Sequence, residues 1–134
     1  MKIYIIDTGS ANLNSVVQAF KRLGYESVIS SDTDKMKDAD RLVLPGVGTA
    51  CAVMDGIEKF KLYDFILNTK KPLLGICLGM QIQATDSSEV PLNVTDEVIK
   101  CLDIVPSHVV KIPDTGLRLP HMGWNTVHHT DHPL

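Results

Sequence analysis

An α/β fold, a mostly parallel sheet with helices on both faces and a partial antiparallel extension, is predicted by three features of the chain. Short apolar runs recur at Lys2 to Ile6, Glu26 to Ile29, Arg41 to Leu44 and Pro72 to Ile76, without the polar alternation of a half-exposed strand. Between them lie segments whose apolar residues fall three and four apart, the period of a helix packed on one side. Beyond Thr85 the pattern changes to short strand-like runs punctuated by Pro and Gly.

Lys2 to Ile6 ends at Asp7-Thr8-Gly9-Ser10, a cluster of turn formers and helix caps. A helix follows, with Leu13, Val16, Val17, Phe20 and Leu23 forming one stripe and Gly24 placed to terminate it. After the third strand, Ala50 to Lys59 and Leu62 to Asn68 have helical character. Strands alternating with helices imply parallel neighbours, because each crossover must pack back on the sheet. Ligands of such sheets bind outside the carboxyl ends of the strands. Asp7 to Asn12, Pro45 to Gly48 and Cys77 all fall at such ends. Asp86 to Asp96 reads as a polar loop, and Val98 to Val105, His108 to Ile112 and Trp124 to His129 read as strands of the antiparallel extension.

The 134 residues suffice for a single domain, 1–134, that buries about two thirds of its unfolded surface. With 22% charged residues, a net charge of −3 and scattered lysines and arginines, the chain has no electrostatic footprint for nucleic acid. No apolar run approaches the ~18 residues of a membrane span, and the apolar stretch near Met1 is too short for a signal peptide, so a cytoplasmic protein is expected. Cys51, Cys77 and Cys101 are odd in number and lack C-x-x-C spacing, which argues against disulfides and against a zinc site. No metal and no cofactor are expected.

Cys77 is the candidate catalytic residue. Leu73-Leu74-Gly75-Ile76-Cys77-Leu78-Gly79-Met80-Gln81 has the layout of a nucleophile elbow, in which a strand turns sharply into a helix and the residue at the turn is thrust outward. Attack on an amide carbonyl builds negative charge on oxygen, and backbone N–H donors stabilise it. Pro45-Gly46-Val47-Gly48 supplies one donor, from Val47 or Gly48, and Leu78 the other; Gly46 and Gln81, the latter one turn after Cys77, are candidates for substrate binding. Asp7-Thr8-Gly9 invites an aspartic-protease reading, but that chemistry needs two aspartates sharing a proton and an all-β scaffold, so a capped helix start is the better account. His128, His129, Asp131 and His132 cluster near the end and read as a solvated tail rather than a metal site.

Gly75-Ile-Cys-Leu-Gly-Met-Gln81, with Pro45-Gly-Val-Gly48 upstream, resembles the class I (triad) glutamine amidotransferases, whose fold is flavodoxin-like. Asp7-Thr-Gly-Ser-Ala-Asn-Leu-Asn-Ser15, Leu44-Pro-Gly-Val-Gly-Thr-Ala50 and Pro120-His-Met-Gly-Trp-Asn125 are similar, within that family, to the glutaminase subunits of imidazole glycerol phosphate synthases of histidine biosynthesis. The resemblance implies that Cys77 attacks glutamine, forms a γ-glutamyl thioester and releases ammonia to a (β/α)8-barrel cyclase partner, with Asn12, Asn14 and Trp124 on the partner face. It also implies an oxyanion loop that reorients when the partner is loaded, and a catalytic His and Glu in a His-Pro-Glu run. That run is not in this sequence, where His132-Pro133 is followed by Leu134. The expectation is therefore an amino-terminal piece of a glutaminase domain that lacks its C-terminal part and turns over poorly alone. A catalytically silent fragment that keeps partner binding, or the amidotransferase subunit of a different synthase, are the alternatives.

Overall fold

The computed structural model describes residues 1–90, 97–116 and 118–131. Four parallel strands, β1 (Ile3–Ile6), β2 (Ser27–Ser30), β3 (Arg41–Gly46) and β4 (Leu73–Cys77), form one sheet in the order β2-β1-β3-β4. This is the order of a flavodoxin-like sheet, whose topological switch point falls between β1 and β3. The helices are α1 (Leu13–Arg22), α2 (Thr33–Met36), α3 (Ala50–Lys59), α4 (Tyr63–Asn68) and α5 (Leu78–Gln81).

Alternation along the strands divides the core into two layers. Ile3, Ile5 and Val43 point to one face, where Leu13, Val16, Val17 and Phe20 of α1 cover them. Ile6, Leu42 and Leu44 point to the other, against Met36 of α2, Val53 and Ile57 of α3, and Ile66 of α4. The second layer is the thicker, and its members are almost wholly excluded from water. β4 is an edge strand, and its Leu74 and Ile76, on the α1 side, remain 38% exposed.

Helix ends follow their local chemistry. The Asn12 carboxamide oxygen accepts from the Ser15 N–H at 3.3 Å and caps α1. At its other end Tyr25 N–H reaches Phe20 O and Gly24 N–H reaches Lys21 O, with Gly24 at φ +82°. This is the paired closure that a left-handed residue permits. Thr49 caps α3 through the Ala52 N–H at 3.3 Å.

Several strand expectations are corrected. β3 does not stop at Leu44 but runs through Pro45 and Gly46. Proline is tolerated there because β1 pairs with β3 only as far as Val43, so no partner on that side asks for the missing N–H. The expected extension is instead a separate mixed sheet in the order β6-β5-β7, with β5 (Asp86–Ser87) antiparallel to β6 (Ile99–Lys100) and parallel to β7 (His108–Val109). β6 breaks after Lys100 because the chain hooks back over the end of α5: Leu102 N–H bonds Ile82 O, and Asp103, at φ +52°, bonds Ala84 O. Trp124 to His129 forms no strand, having neither a strand partner among the described residues nor a buried face. Asp86 and Ser87 of the expected loop are strand, and residues 91–96 of that loop lie outside the described residues, as does His132 of the histidine cluster.

Candidate active site

β4 ends at Cys77 and α5 begins at Leu78 with no residue between. Cys77 has φ +56° and ψ −119°, a conformation that costs an L-residue of order 1–3 kcal/mol and that persists only where its surroundings fix it. Two close approaches do so. A Cβ on Gly79 would overlap the Leu44 carbonyl oxygen, and one on Gly75 would overlap Gly79 O and the Gln83 carboxamide. The missing side chains therefore let α5 fold down onto β3 and β4, which turns the Cys77 side chain out of the sheet.

Register brings the second motif alongside. In the parallel β3–β4 ladder Pro45 lies opposite Ile76 and Gly46 opposite Cys77, so Pro45-Gly46-Val47-Gly48 leaves the sheet beside the elbow. Gly46 is buried, and a Cβ there would come within 2.9 Å of Leu78 Cβ and 3.0 Å of Gly79 N. Its contribution is close packing of the loop root on the elbow. Leu78 is buried at the first position of α5, where backbone N–H groups have no intrahelical acceptor. Gln81 is half-buried one turn further on.

Val47 and Gly48, the two residues of the loop expected as alternative oxyanion donors, differ in their surroundings. Val47 N–H donates to Ser10 O at 2.8 Å, across the β1–β3 switch point, and so is committed to the loop after β1 in this conformation. Gly48 is exposed with φ +95°. Ser10 lies within the Asp7 to Asn12 segment that the sequence places at the carboxyl edge, but its own contact has no side-chain signal, because it is made by a backbone carbonyl. The same turn explains Asp7: its carboxylate accepts from the Gly9 N–H at 2.8 Å in a local turn, beside a parallel sheet, which removes the aspartic-protease reading.

The three thiols are sorted by environment. Cys77 is exposed, Cys51 half-buried and Cys101 buried. Burial pushes the Cys51 thiol up from its ordinary value, and Asp55, whose carboxylate lies 3.7 Å from the sulfur, adds to it. Burial, then Asp86, does the same for Cys101. Neither favours the thiolate form needed of a nucleophile. Asn12 and Asn14 are exposed at the start of α1, and Trp124 is fully exposed, but the structure gives them no shared contact. Among the described residues no group of three or more His, Cys, Asp or Glu side chains could hold a metal ion, and no helix is long and apolar enough to cross a membrane.

An exposed cysteine on a strained strand-to-helix turn, with a glycine-rich loop in register beside it at the carboxyl edge of a parallel sheet, has the geometry of a nucleophile elbow. The chain belongs to the glutamine amidotransferase class-I family, which it matches over residues 4–132. It is 43% identical, over its whole length, to the imidazole glycerol phosphate synthase subunit HisH of Idiomarina loihiensis, covering 65% of that protein. The same subunit of Photorhabdus laumondii is 47% identical over the whole chain, which covers 67% of it. The subunit HisH 2 of Campylobacter jejuni strain RM1221 is 49% identical, again over the whole chain and 65% of the relative. The chain thus spans about two thirds of the length of these curated relatives.

Proposed function

We propose that this chain carries the nucleophile and oxyanion side of a glutaminase that serves an imidazole glycerol phosphate synthase. The observation that carries the reading is the pairing of Gly46 with Cys77, which sets the oxyanion loop against the only exposed thiol among the described residues. The Cys77 thiolate attacks the side-chain amide carbon of glutamine, and the carbonyl electron pair moves onto oxygen. Leu78 N–H and a donor from Val47 or Gly48 stabilise that oxyanion. Collapse expels the amide nitrogen, which takes up a proton and leaves as ammonia, and a γ-glutamyl thioester remains. Water then adds to the thioester carbonyl, releasing glutamate and regenerating the thiol. Gln81 and the Gly46 backbone contact the substrate, and the ammonia passes to a cyclase partner of (β/α)8-barrel type. Asn12, Asn14 and Trp124 face that partner, although Asn12 also caps α1.

Two observations support slow turnover by the chain alone. Val47 N–H is held by Ser10 O, so a loop donor must first be freed or Gly48 must serve. In addition, no His-Pro-Glu run occurs in these 134 residues, and loss of a triad base costs several orders of magnitude in rate. The test is glutamate release at saturating glutamine, with and without a barrel cyclase and its ligand. Turnover about 10³-fold or more below that of a full-length relative is expected; turnover at ordinary enzyme rates would refute the missing-base argument. Failure of the chain to bind any barrel cyclase, with Cys77 still alkylated by a glutamine-shaped electrophile, would favour a different synthase.

A further inference from the structure

Helix α5 is wound too tightly at its end to use all its carbonyls. Ile82 N–H bonds Leu78 O at 2.9 Å, but the next N–H, that of Gln83, goes to Met80 O at 3.1 Å, and Ala84 N–H goes to Gln81 O at 3.0 Å. The Gly79 carbonyl is skipped. Its partner is instead the side chain of Gln83, whose Nε2 donates to Gly79 O at 3.0 Å. Because a carbonyl can only accept, the amide end of the side chain is fixed by this bond. The carboxamide occupies the notch where Gly75 has no Cβ, two residues before the nucleophile. Gln83 is also gripped from behind: its own carbonyl accepts from Ile104 N–H at 2.9 Å and from Val105 N–H at 2.8 Å. One residue thus ties the first turn after Cys77 to the segment that follows β6.

We propose that Gln83 is a positioning residue for the elbow: its bond to the Gly79 carbonyl holds the first turn of α5, and with it the Leu78 N–H and the Cys77 thiol, in the orientation that receives a glutamine carboxamide. The inference rests on the glutaminase reading above. Gln83 does not touch the reacting atoms. It acts through Gly79, which lies against the Leu44 carbonyl at the root of the oxyanion loop, so a shift of this turn moves nucleophile and oxyanion donor relative to each other. Misplacement by about 1 Å at a reacting centre can cost as much as a hundredfold in rate.

The test uses the 134-residue chain. Alkylation of Cys77 is timed with a chloroketone analogue of glutamine and with iodoacetamide, which needs only an accessible thiolate. Gln83→Met keeps the length of the side chain and removes the donor. We expect its chloroketone rate to fall about tenfold or more, with the iodoacetamide rate changed by less than about twofold. Gln83→Glu can donate to Gly79 O only when protonated. Its chloroketone deficit relative to wild type therefore shrinks as pH is lowered from 8 toward 5, whereas that of Gln83→Met stays constant. Iodoacetamide labelling of buried Cys101 reports whether either variant has unfolded; if Gln83→Met has, the pH profile of Gln83→Glu decides. Equal chloroketone rates for wild type and the folded variants, or a Gln83→Glu deficit that is flat with pH, would overturn the proposal while leaving the glutaminase reading intact. A wild-type chain that the chloroketone fails to label, or labels without protection by glutamine, would overturn both.

Discussion

The sheet-and-helix body up to Val90 and the segment from Asp103 to Asp131 both carry apolar residues at strand-like spacing, yet they differ in what those residues do. In the body Ile5, Ile6, Leu42, Leu44, Val53 and Ile57 are shut away from water, and every strand of the main sheet has a parallel partner. From Asp103 onward no described residue is buried, and Val110, Met122, Trp124 and Val127 stand in solvent. Apolar residues at strand-like spacing are therefore not enough to make a strand: the pattern yields structure only where a second surface is present to take the face it creates.

That contrast is broken or sharpened most strongly by a single methyl group. Gly79→Ala drives a Cβ into the Leu44 carbonyl, a backbone atom that cannot yield without moving β3, and is expected to lower stability by about 3 kcal/mol or more in urea denaturation. Leu44→Ala in the same measurement is expected to cost about 2–5 kcal/mol, against less than about 0.5 kcal/mol for Trp124→Ala, although tryptophan is the larger side chain. Comparable losses at the two positions would show that the tail is packed in solution.

Cys77→Gly gives a smaller effect of opposite sign. Glycine adopts φ +56° without penalty, and the relief slightly exceeds the extra chain entropy it brings to the unfolded state, so stability in urea denaturation should rise by less than about 1 kcal/mol while all alkylation at this position is lost. A destabilised variant would mean that the thiol, rather than the turn, is what the surroundings hold.

The smallest effect concerns α2. The Asp32 carboxylate accepts from the Lys35 and Asp34 N–H groups, and these bonds, led by that of Lys35, hold its pKa below the ordinary value of 3.8. A carboxyl whose folded pKa is depressed contributes stability that is complete above the unfolded value and is lost as pH falls through the folded one. Amide exchange at Asp34 and Lys35, corrected for its intrinsic pH dependence, should therefore accelerate below about pH 4, with Ile5 and Leu44 unaffected.

Much of the body was legible because its signals are local. The Cys77 elbow, the Ala50 to Lys59 helix and the Gly24 stop each depend on residues within one turn of themselves. Even the placement of the motifs at the carboxyl ends of strands follows from alternation of strand and helix. What escaped was set by pairing at a distance. The continuation of β3 through Pro45 depends on where β1 stops pairing, and the hook at Asp103 depends on the carbonyls of Ile82 to Ala84. The engagement of Val47 by Ser10 is likewise decided by which backbone groups are left over once the sheet has formed, whereas that of Gly79 by Gln83, only four residues on, turns on the one carbonyl that the tight end of α5 leaves over. At Trp124 to His129 the alternation was present and the partner was not.

The position of β4 at the sheet edge has a consequence for handling the protein in solution. Leu73-Leu74-Gly75-Ile76-Cys77 is a five-residue uncharged strand with one side unpaired among the described residues, and Ile76 helps to line an apolar cleft of about 300 Å³ beside Val16, Phe20 and Leu23. Such an edge is a template for stacking by another chain. Lys70, Lys71 and Pro72 stand immediately ahead of it, two like charges and a residue without an N–H, the residue types that oppose such stacking. The strand that carries Cys77 is thus also the outermost strand of the main sheet among the described residues, with two like charges at its start.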